Sequence, residues 1–230
     1  ENGKRVTIDN SDEFKVPKGA SLVIYPISGY GNVQLLRDTI NHEKPDAIMI
    51  YTDPRFWIWL FEIEHEIRQN IPIFYYNIWD DLPYPMWNEP FYESCDLIMN
   101  ISKQTVNIVD KVCVNKPRTD WDSTYVPHGI NEKYFYPVEN EKEKLEMNKM
   151  KSELFQGRDI DFCLLYNNRN IRRKQPGDVL LAYKYFMDEL TPEQRRDCVL
   201  IYHCSPVDDN GTDLPRVHRH LCPEYDVCFT

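Results

Sequence analysis

Glycine is scarce in this chain: it accounts for 8 of 230 residues, about half of the roughly 7% that is usual in proteins. No two of the seven cysteines are spaced C-x-x-C, which excludes a zinc ribbon and a thioredoxin-like motif. No apolar run approaches the roughly 18 residues of a membrane span, and the first residues do not match the pattern of a signal peptide. The cysteine number is odd and most cysteines lie in apolar runs, so we expect buried, reduced thiols in a cytoplasmic protein.

Basic residues are in the minority, with 27 Lys and Arg against 37 Asp and Glu and a formal net charge of -10. A chain with this charge repels polyphosphates as a whole, so we do not expect a nucleic-acid partner. A phosphate site would have to be a local basic pocket. The hydrophobic fraction of 42% and the aromatic fraction of 13% are sufficient for a core and exclude intrinsic disorder of the whole chain.

Short apolar runs alternate with helical patterns through the first 130 residues. The pattern predicts buried strands at 21–25, 46–51, 72–76, 96–100 and 124–126. It predicts helices at 32–41, 54–70 and 102–112, the last with Ser102 as its N-cap. This order is typical of an α/β domain whose parallel sheet carries helices on both faces.

The composition then changes, because the stretch 139–151 holds four Glu and four Lys and few apolar residues. Such a stretch indicates a solvated helix or a linker. The alternation resumes with predicted strands at 161–166, 198–202 and 226–229 and helices at 176–190 and 213–221. We therefore predict an N-terminal Rossmann-like domain over 1–138, a linker or helix over 139–158, and the first part of a second Rossmann-like domain over 159–230. Three short strands are few for a stable domain, so we expect the chain to be part of a longer protein.

A basic turn follows the predicted strand 161–166. Four cations, Arg169, Arg172, Arg173 and Lys174, stand just before a predicted helix. Cations are electrostatically unfavourable at the positive end of a helix dipole unless an anion is bound there. Arginine binds phosphate oxygens through two hydrogen bonds, and lysine adds a point charge. The turn therefore predicts a phosphate site at a strand end, with a solvated basic loop as the alternative.

A second segment, Tyr125–Pro137, begins where a predicted strand ends. Gly129 would permit a tight turn there, next to His128. From these residues alone, an ordinary corner with an exposed His128 is the simpler interpretation.

The two segments together resemble a known family. Val126-Pro-His-Gly-Ile-Asn131, followed by Phe135-x-Pro137, and then Asn168-Arg-x-x-x-x-Lys174, are similar to two motifs of the family-4-type retaining glycosyltransferases. The resemblance covers about residues 20–230. It implies a GT-B fold, in which two Rossmann-like domains have parallel sheets facing each other across a cleft.

The resemblance also implies a function for particular residues. Arg169 and Lys174 would hold the diphosphate of a nucleotide-sugar donor and stabilise it as it leaves, with Asn168, His128 and Gly129 in the same donor site. The implied enzyme transfers a hexosyl-type sugar with retention, without a metal and without a further cofactor. Asp80 stands where the family often has a histidine that lines the cleft. From the residues alone, Asp80 and Asp81 are more simply a pair that caps their loop.

Several positions depart from the family pattern. Asn168 replaces a glycine, His128 replaces an asparagine, and the family's paired glutamates would lie beyond Thr230. A non-catalytic module that binds a nucleotide or a sugar phosphate is therefore the alternative function. The acceptor stays open between a glycan, a lipid and a protein, and the acidic charge makes nucleic acid the least expected acceptor.

Overall fold

Two compact units, Glu1–Asn131 and Glu132–Thr230, make up the chain in a computed structural model that describes residues 6–8, 22–119 and 122–230. Each unit has its own parallel sheet and its own core. The predicted α/β class is therefore confirmed. The division between the units precedes the predicted boundary at 138, and the predicted domain limits stay a prediction.

The first unit contains a four-stranded parallel sheet. Its strands are β3 (Ile48–Tyr51), β4 (Ile73–Asn77), β5 (Leu97–Asn100) and β6 (Ser123–Tyr125), in that order across the sheet. Its helices are α1 (Val33–Glu43), α2 (Ile58–Phe61), α3 (Glu64–Ile67), α4 (Glu89–Glu93) and α5 (Lys103–Val112), with 3-10 turns at Pro54–Trp57 and Met86–Asn88. The predicted N-cap of α5 is confirmed, because Ser102 accepts a hydrogen bond from the amide of Thr105.

The predicted strand at 21–25 is wrong in its partner and its burial. The observed strand β2 (Leu22–Ile24) pairs antiparallel with β1 (Val6–Ile8) in a separate two-stranded sheet, and Ser21 lies outside the described residues. Leu22 is 50% exposed. A run of three apolar residues fits a buried strand and an edge strand equally well, so the pattern alone does not distinguish the two.

The predicted helix at 54–70 is interrupted. The backbone leaves helical geometry at Trp57 and at Ile63, where φ is -111° and -113°. The indole N–H of Trp57 donates to the carbonyl oxygen of Tyr51 at 2.9 Å, which holds the first break against the end of β3. The result is a 3-10 turn and two single-turn helices instead of one continuous helix.

Helices cover one face of the first sheet. The strands follow chain order across the sheet, so right-handed crossovers place the connecting helices on the same side. On that side Ile50, Tyr75 and Ile98 are buried. On the other side Met49 is 65% exposed and Tyr51 is 49% exposed. Within the described residues of this unit, the prediction of helices on both faces is wrong.

The second unit has a three-stranded parallel sheet in the order β7 (Phe162–Asn167), β8 (Cys198–His203) and β9 (Val227–Phe229). Its helices are α6 (Glu141–Leu154), α7 (Pro176–Asp188), α8 (Pro192–Arg196) and α9 (Leu214–Leu221), with a 3-10 turn at Arg172–Lys174. Residues of α7 and α9 pack on one side of β8, and Phe155 packs with Val199 and Ile201 in a separate cluster. No residue within α6 is buried, as expected for a solvated helix.

Along the described ranges, none of the helices combines the length and the apolar character that a membrane-spanning segment needs. All seven cysteines are unpaired in the structure, and four of them, Cys95, Cys113, Cys198 and Cys222, are buried.

Candidate functional site

The basic turn lies at the carboxyl end of β7. The strand ends at Asn167, and a 3-10 turn spans Arg172–Lys174. Gln175 then adopts a left-handed conformation with φ of 47°, and the 13-residue helix α7 begins at Pro176. The predicted position, between a strand and a helix N-terminus, is confirmed. The expected burial of the strand is wrong, because Tyr166 alone of its six residues is buried. Amide groups at the start of α7 and the cations before it therefore lie at the sheet edge where α/β folds bind ligands.

Most of the positive charge in this turn has no counter-charge. Arg169 is 67% exposed, and its Nε lies 3.3 Å from Oδ2 of Asp208. Arg172, Arg173 and Lys174 form no ion pair with any residue that the structure describes. The turn can therefore accept an external anion without first breaking an ion pair at those three side chains.

A buried asparagine ties the basic turn to the loop after β8. The Asn170 side chain is fully buried and donates to the carbonyl oxygens of Ser205, Pro206 and Thr212 at 3.1, 3.3 and 2.7 Å. Its Oδ1 accepts the amide of Thr212 at 3.0 Å. Gly211 packs so closely that an added Cβ would lie 2.2 Å from the Asn170 carbonyl oxygen. The sequence analysis did not single out this clamp, because the Asn-rich stretch looked like part of an ordinary polar loop.

Two tyrosines support the turn from the sheet below it. The hydroxyl of Tyr166 lies 3.4 Å from the carbonyl oxygens of both Arg169 and Lys174. The hydroxyl of Tyr202 donates to the carbonyl oxygen of Pro176 at 2.7 Å. Burial raises the pKa of both phenols, so both stay neutral donors at physiological pH. These bonds hold the backbone of the turn, while the three arginine side chains stay exposed and Lys174 is half-buried.

In the first unit, His128 lies beyond the carboxyl end of β6 in an aromatic cluster. Its ring stacks on Tyr76 with centroids 5.3 Å apart, and its Nδ1 lies 3.0 Å from the Tyr76 hydroxyl. The same hydroxyl donates to the carbonyl oxygen of Val126 at 2.8 Å. The Tyr51 ring lies 6.4 Å from the His128 ring. His128 is exposed, as the simpler interpretation expected, but it is held by tyrosines that the sequence analysis did not name.

The tight turn expected at Gly129 is absent. Its backbone lies outside the left-handed region, and an added Cβ would meet nothing within 4 Å. The prediction that this glycine permits a tight turn is therefore wrong. The local fold gives no reason for a glycine here.

Asp80 borders a pocket of about 250 Å³ just beyond β3 and β4. Asp81 does cap its loop, because its Oδ1 accepts the amide of Leu82 at 2.9 Å. Within the described part of the chain, Asp80 accepts a hydrogen bond only through its backbone carbonyl, from Gln104 at 3.0 Å. The capping interpretation therefore holds for Asp81 alone, and the Asp80 carboxylate is exposed. The pocket wall includes Thr52, a β-branched residue with φ of 85°, a strained conformation of a kind that clusters at binding sites.

The predicted site residues thus fall into two groups. Asn168, Arg169 and Lys174 share one turn of the second unit, and Asn168 is exposed beside Arg169. Asp80, His128 and Gly129 lie beyond the carboxyl ends of the strands of the first unit. Among the residues that the structure describes, no group of three or more His, Cys, Asp or Glu side chains could hold a metal ion. The role of each residue stays a prediction.

Comparison with known proteins rests on structure. No family model matches the chain, and no curated protein sequence matches it. The structure is similar to that of a trehalose-6-phosphate protein from E. coli bound with UDP-2-fluoro glucose, with a TM-score of 0.54 and 16% identity. It is similar at the same TM-score and identity to a trehalose-6-phosphate synthase studied for glycosyltransfer with retention. For an α,α-trehalose-phosphate synthase (UDP-forming) from Burkholderia vietnamiensis, the TM-score is 0.52 and the identity 11%.

Each match covers 85% of this chain and 50%, 50% and 48% of the other chain, respectively. The chain therefore spans about half the length of the structures it matches. Together with the two parallel Rossmann-like sheets, the matches show a GT-B-like fold, as the motifs implied. At 11–16% identity they show the fold alone.

Proposed function

We propose that this chain is the nucleotide-sugar-binding part of a glycosyltransferase, which moves a sugar from a nucleotide-diphosphate sugar to an acceptor. The observation that carries the proposal is the basic turn at 169–174, directly before the N-terminus of α7, in which three cations form no ion pair with a described residue. The GT-B-like fold and the UDP-sugar bound to a structural neighbour support it. The chain spans half of its neighbours, so the activity is proposed for the whole protein.

The diphosphate would bind to the basic turn in three ways. The Gly177 amide, which no described residue accepts, would donate to a phosphate oxygen. Pro176 has no N–H, and the amides of Asp178 and Val179 donate to the carbonyl oxygen of Gln175. The Arg169 guanidinium forms paired hydrogen bonds, and Lys174 adds a point charge. The exposed amide of Asn168 offers one more donor beside Arg169. As the bond to the sugar breaks, negative charge grows on the departing diphosphate, and the same cations stabilise it. This electrostatic role needs no metal and no further cofactor, and we include metal independence and retention in the proposal.

We place the acceptor at the carboxyl edge of the first unit's sheet, where Asp80 is exposed, and we keep the donor-binding role of His128 and Gly129 that the resemblance implies. The free carboxylate of Asp80 suits an acceptor hydroxyl, which can donate a hydrogen bond to it. The acceptor class stays open between a glycan, a lipid and a protein. A cytoplasmic location, expected from the unpaired cysteines, belongs to the same proposal.

The second candidate is a non-catalytic module that binds a nucleotide or a sugar phosphate. One observation favours it: Asp80 stands where the resembled family often has a histidine near the donor sugar. Binding without turnover by the whole protein would support this candidate over the enzyme.

Calorimetric titration of the chain with UDP and with GDP tests the proposed binding site. We expect at least one nucleotide to bind, and Arg169→Ala to weaken its affinity about tenfold, since hydrogen bonds to charged groups contribute about 1.5–3 kcal/mol. Arg196→Ala is the matched control, because it removes the same charge just before β8, at the opposite edge of the sheet. Failure of the folded wild-type chain to bind either nucleotide contradicts the proposal, and so does equal weakening by the two variants.

A further inference from the structure

Asp208 lies on the loop after β8 with both carboxylate oxygens engaged. Its Oδ1 accepts the amide of Asn210 at 2.9 Å, and its Oδ2 faces Nε of Arg169 at 3.3 Å. The side chain is only 15% exposed. The hydrogen bond from Asn210 lowers the pKa of Asp208, and Arg169 lowers it further. The group is therefore an anion at neutral pH, held beside the exposed side chain of Arg169.

The loop that carries Asp208 is fixed relative to the turn that carries Arg169. Asn170 of the turn makes its four hydrogen bonds with backbone groups of that loop. In addition, the Arg172 amide donates to the carbonyl oxygen of Asn210 at 3.2 Å. These hydrogen bonds hold the loop, and with it the Asp208 carboxylate, in place beside Arg169. The carboxylate therefore does not move with the arginine side chain.

The contact uses only one of the donor positions of Arg169. Asp208 engages Nε, and no residue that the structure describes accepts a hydrogen bond from the four N–H donors of Nη1 and Nη2. A long exposed side chain otherwise loses rotamer entropy when a ligand fixes it. A carboxylate that already restrains the guanidinium reduces this loss of entropy. It also leaves Nη1 and Nη2 available to bind two phosphate oxygens.

We infer that Asp208 is a positioning residue, which holds Arg169 through Nε so that the free end of its guanidinium meets the diphosphate. The inference rests on the proposed function. It opposes the simplest electrostatic expectation, because a carboxylate near a phosphate site repels the ligand. If Asp208 acts only through its charge, removing that charge should tighten binding of the diphosphate. If Asp208 positions Arg169, the same change should weaken binding, so the direction of the change distinguishes the two roles.

The test compares Asp208→Asn with Asp209→Asn in titrations with pyrophosphate and with UDP. Asp209 is the exposed neighbour on the same loop, so its variant removes the same charge without the contact to Arg169. Asparagine at 208 can still accept the Asn210 amide, which preserves the loop. We expect Asp208→Asn to bind both probes about fivefold more weakly than Asp209→Asn, a value at the upper end for a partly exposed ion pair. In an Arg169→Ala background the two variants should bind equally.

A measurement without ligand reports directly on the contact between Asp208 and Arg169, which a change in loop stability alone would not reveal. The Nε–H proton of Arg169, followed by ¹⁵N NMR, should exchange with water more slowly in the wild type and in Asp209→Asn than in Asp208→Asn. Equal or tighter binding by Asp208→Asn, or equal exchange rates in all three proteins, overturns the inference and leaves the proposed function intact. Equal binding by the wild type and Arg169→Ala overturns both.

Discussion

Replacing Gly211 with alanine is expected to lower the free energy of unfolding of the second unit by about 3 kcal/mol, the upper end for added atoms in a packed site. The new Cβ would lie 2.2 Å from the carbonyl oxygen of Asn170 and 2.5 Å from its Oδ1. Backbone atoms have to move to relieve this overlap, and the four hydrogen bonds of the Asn170 side chain move with them. All five tryptophans lie in the first unit, so protection of β8 amides from hydrogen exchange is the appropriate measurement.

Two other glycines are controls for this substitution. An added Cβ at Gly177 would meet its nearest atom at 4.0 Å, and one at Gly129 would meet nothing within 4 Å. Gly177→Ala lies in the first turn of α7, where alanine is intrinsically preferred to glycine, so it should be neutral or slightly stabilising. Gly129→Ala should change the free energy of unfolding by less than about 0.5 kcal/mol. Equal effects of all three substitutions would show that the close approach at Gly211 does not limit stability.

The strands and the helix starts could be predicted because their causes are local. Short apolar runs bounded by turn residues predicted seven parallel strands, from β3 to β9. Ser102 predicted the start of α5, because a capping side chain bonds to an amide only three residues away. The interruption of the predicted helix at 54–70 depends instead on the hydrogen bond from the Trp57 indole to Tyr51. The spacing of apolar residues along a helix does not predict such a contact.

The same distinction applies to the site. Charge against a negative background identified the four cations of the turn from the sequence, and the family resemblance singled out Arg169 and Lys174 among them. Asn170 and Asp208 act through partners about 35–42 residues away, and nothing in the local pattern links those positions. The coverage of one face of the first sheet depends on strand order, which hydrophobic periodicity does not report. The error at Gly129 has a different origin, since a glycine beside a strand end was taken to need a turn that the backbone does not make.

A steep loss of stability at alkaline pH is expected in the first unit, because two thiols are buried in its core. Burial raises the pKa of Cys95 to about 12 and that of Cys113 to about 11. In the unfolded chain a cysteine titrates near pH 8.5. Below that pH both states are protonated and the full stability is present. Above it the unfolded chain loses protons that the folded chain retains, so each thiol should lower the free energy of unfolding by about 1.4 kcal/mol per pH unit.

Two thiols together predict a slope of about 3 kcal/mol per pH unit between pH 9 and 10, measured by urea unfolding with tryptophan fluorescence, which reports on the first unit alone. Cys95→Ala and Cys113→Ala should each remove about half of this slope, although each also leaves a small cavity. Val109→Ala separates the two effects, because Val109 is fully buried in the same cluster and carries no proton. Its stability curve should run below that of the wild type and parallel to it.

A wild-type curve that is flat from pH 8 to 10, or cysteine variants that keep the full slope, would mean that these thiols ionise without unfolding the unit. The core around them would then admit water at alkaline pH, which contradicts their complete burial beside β4 and α5.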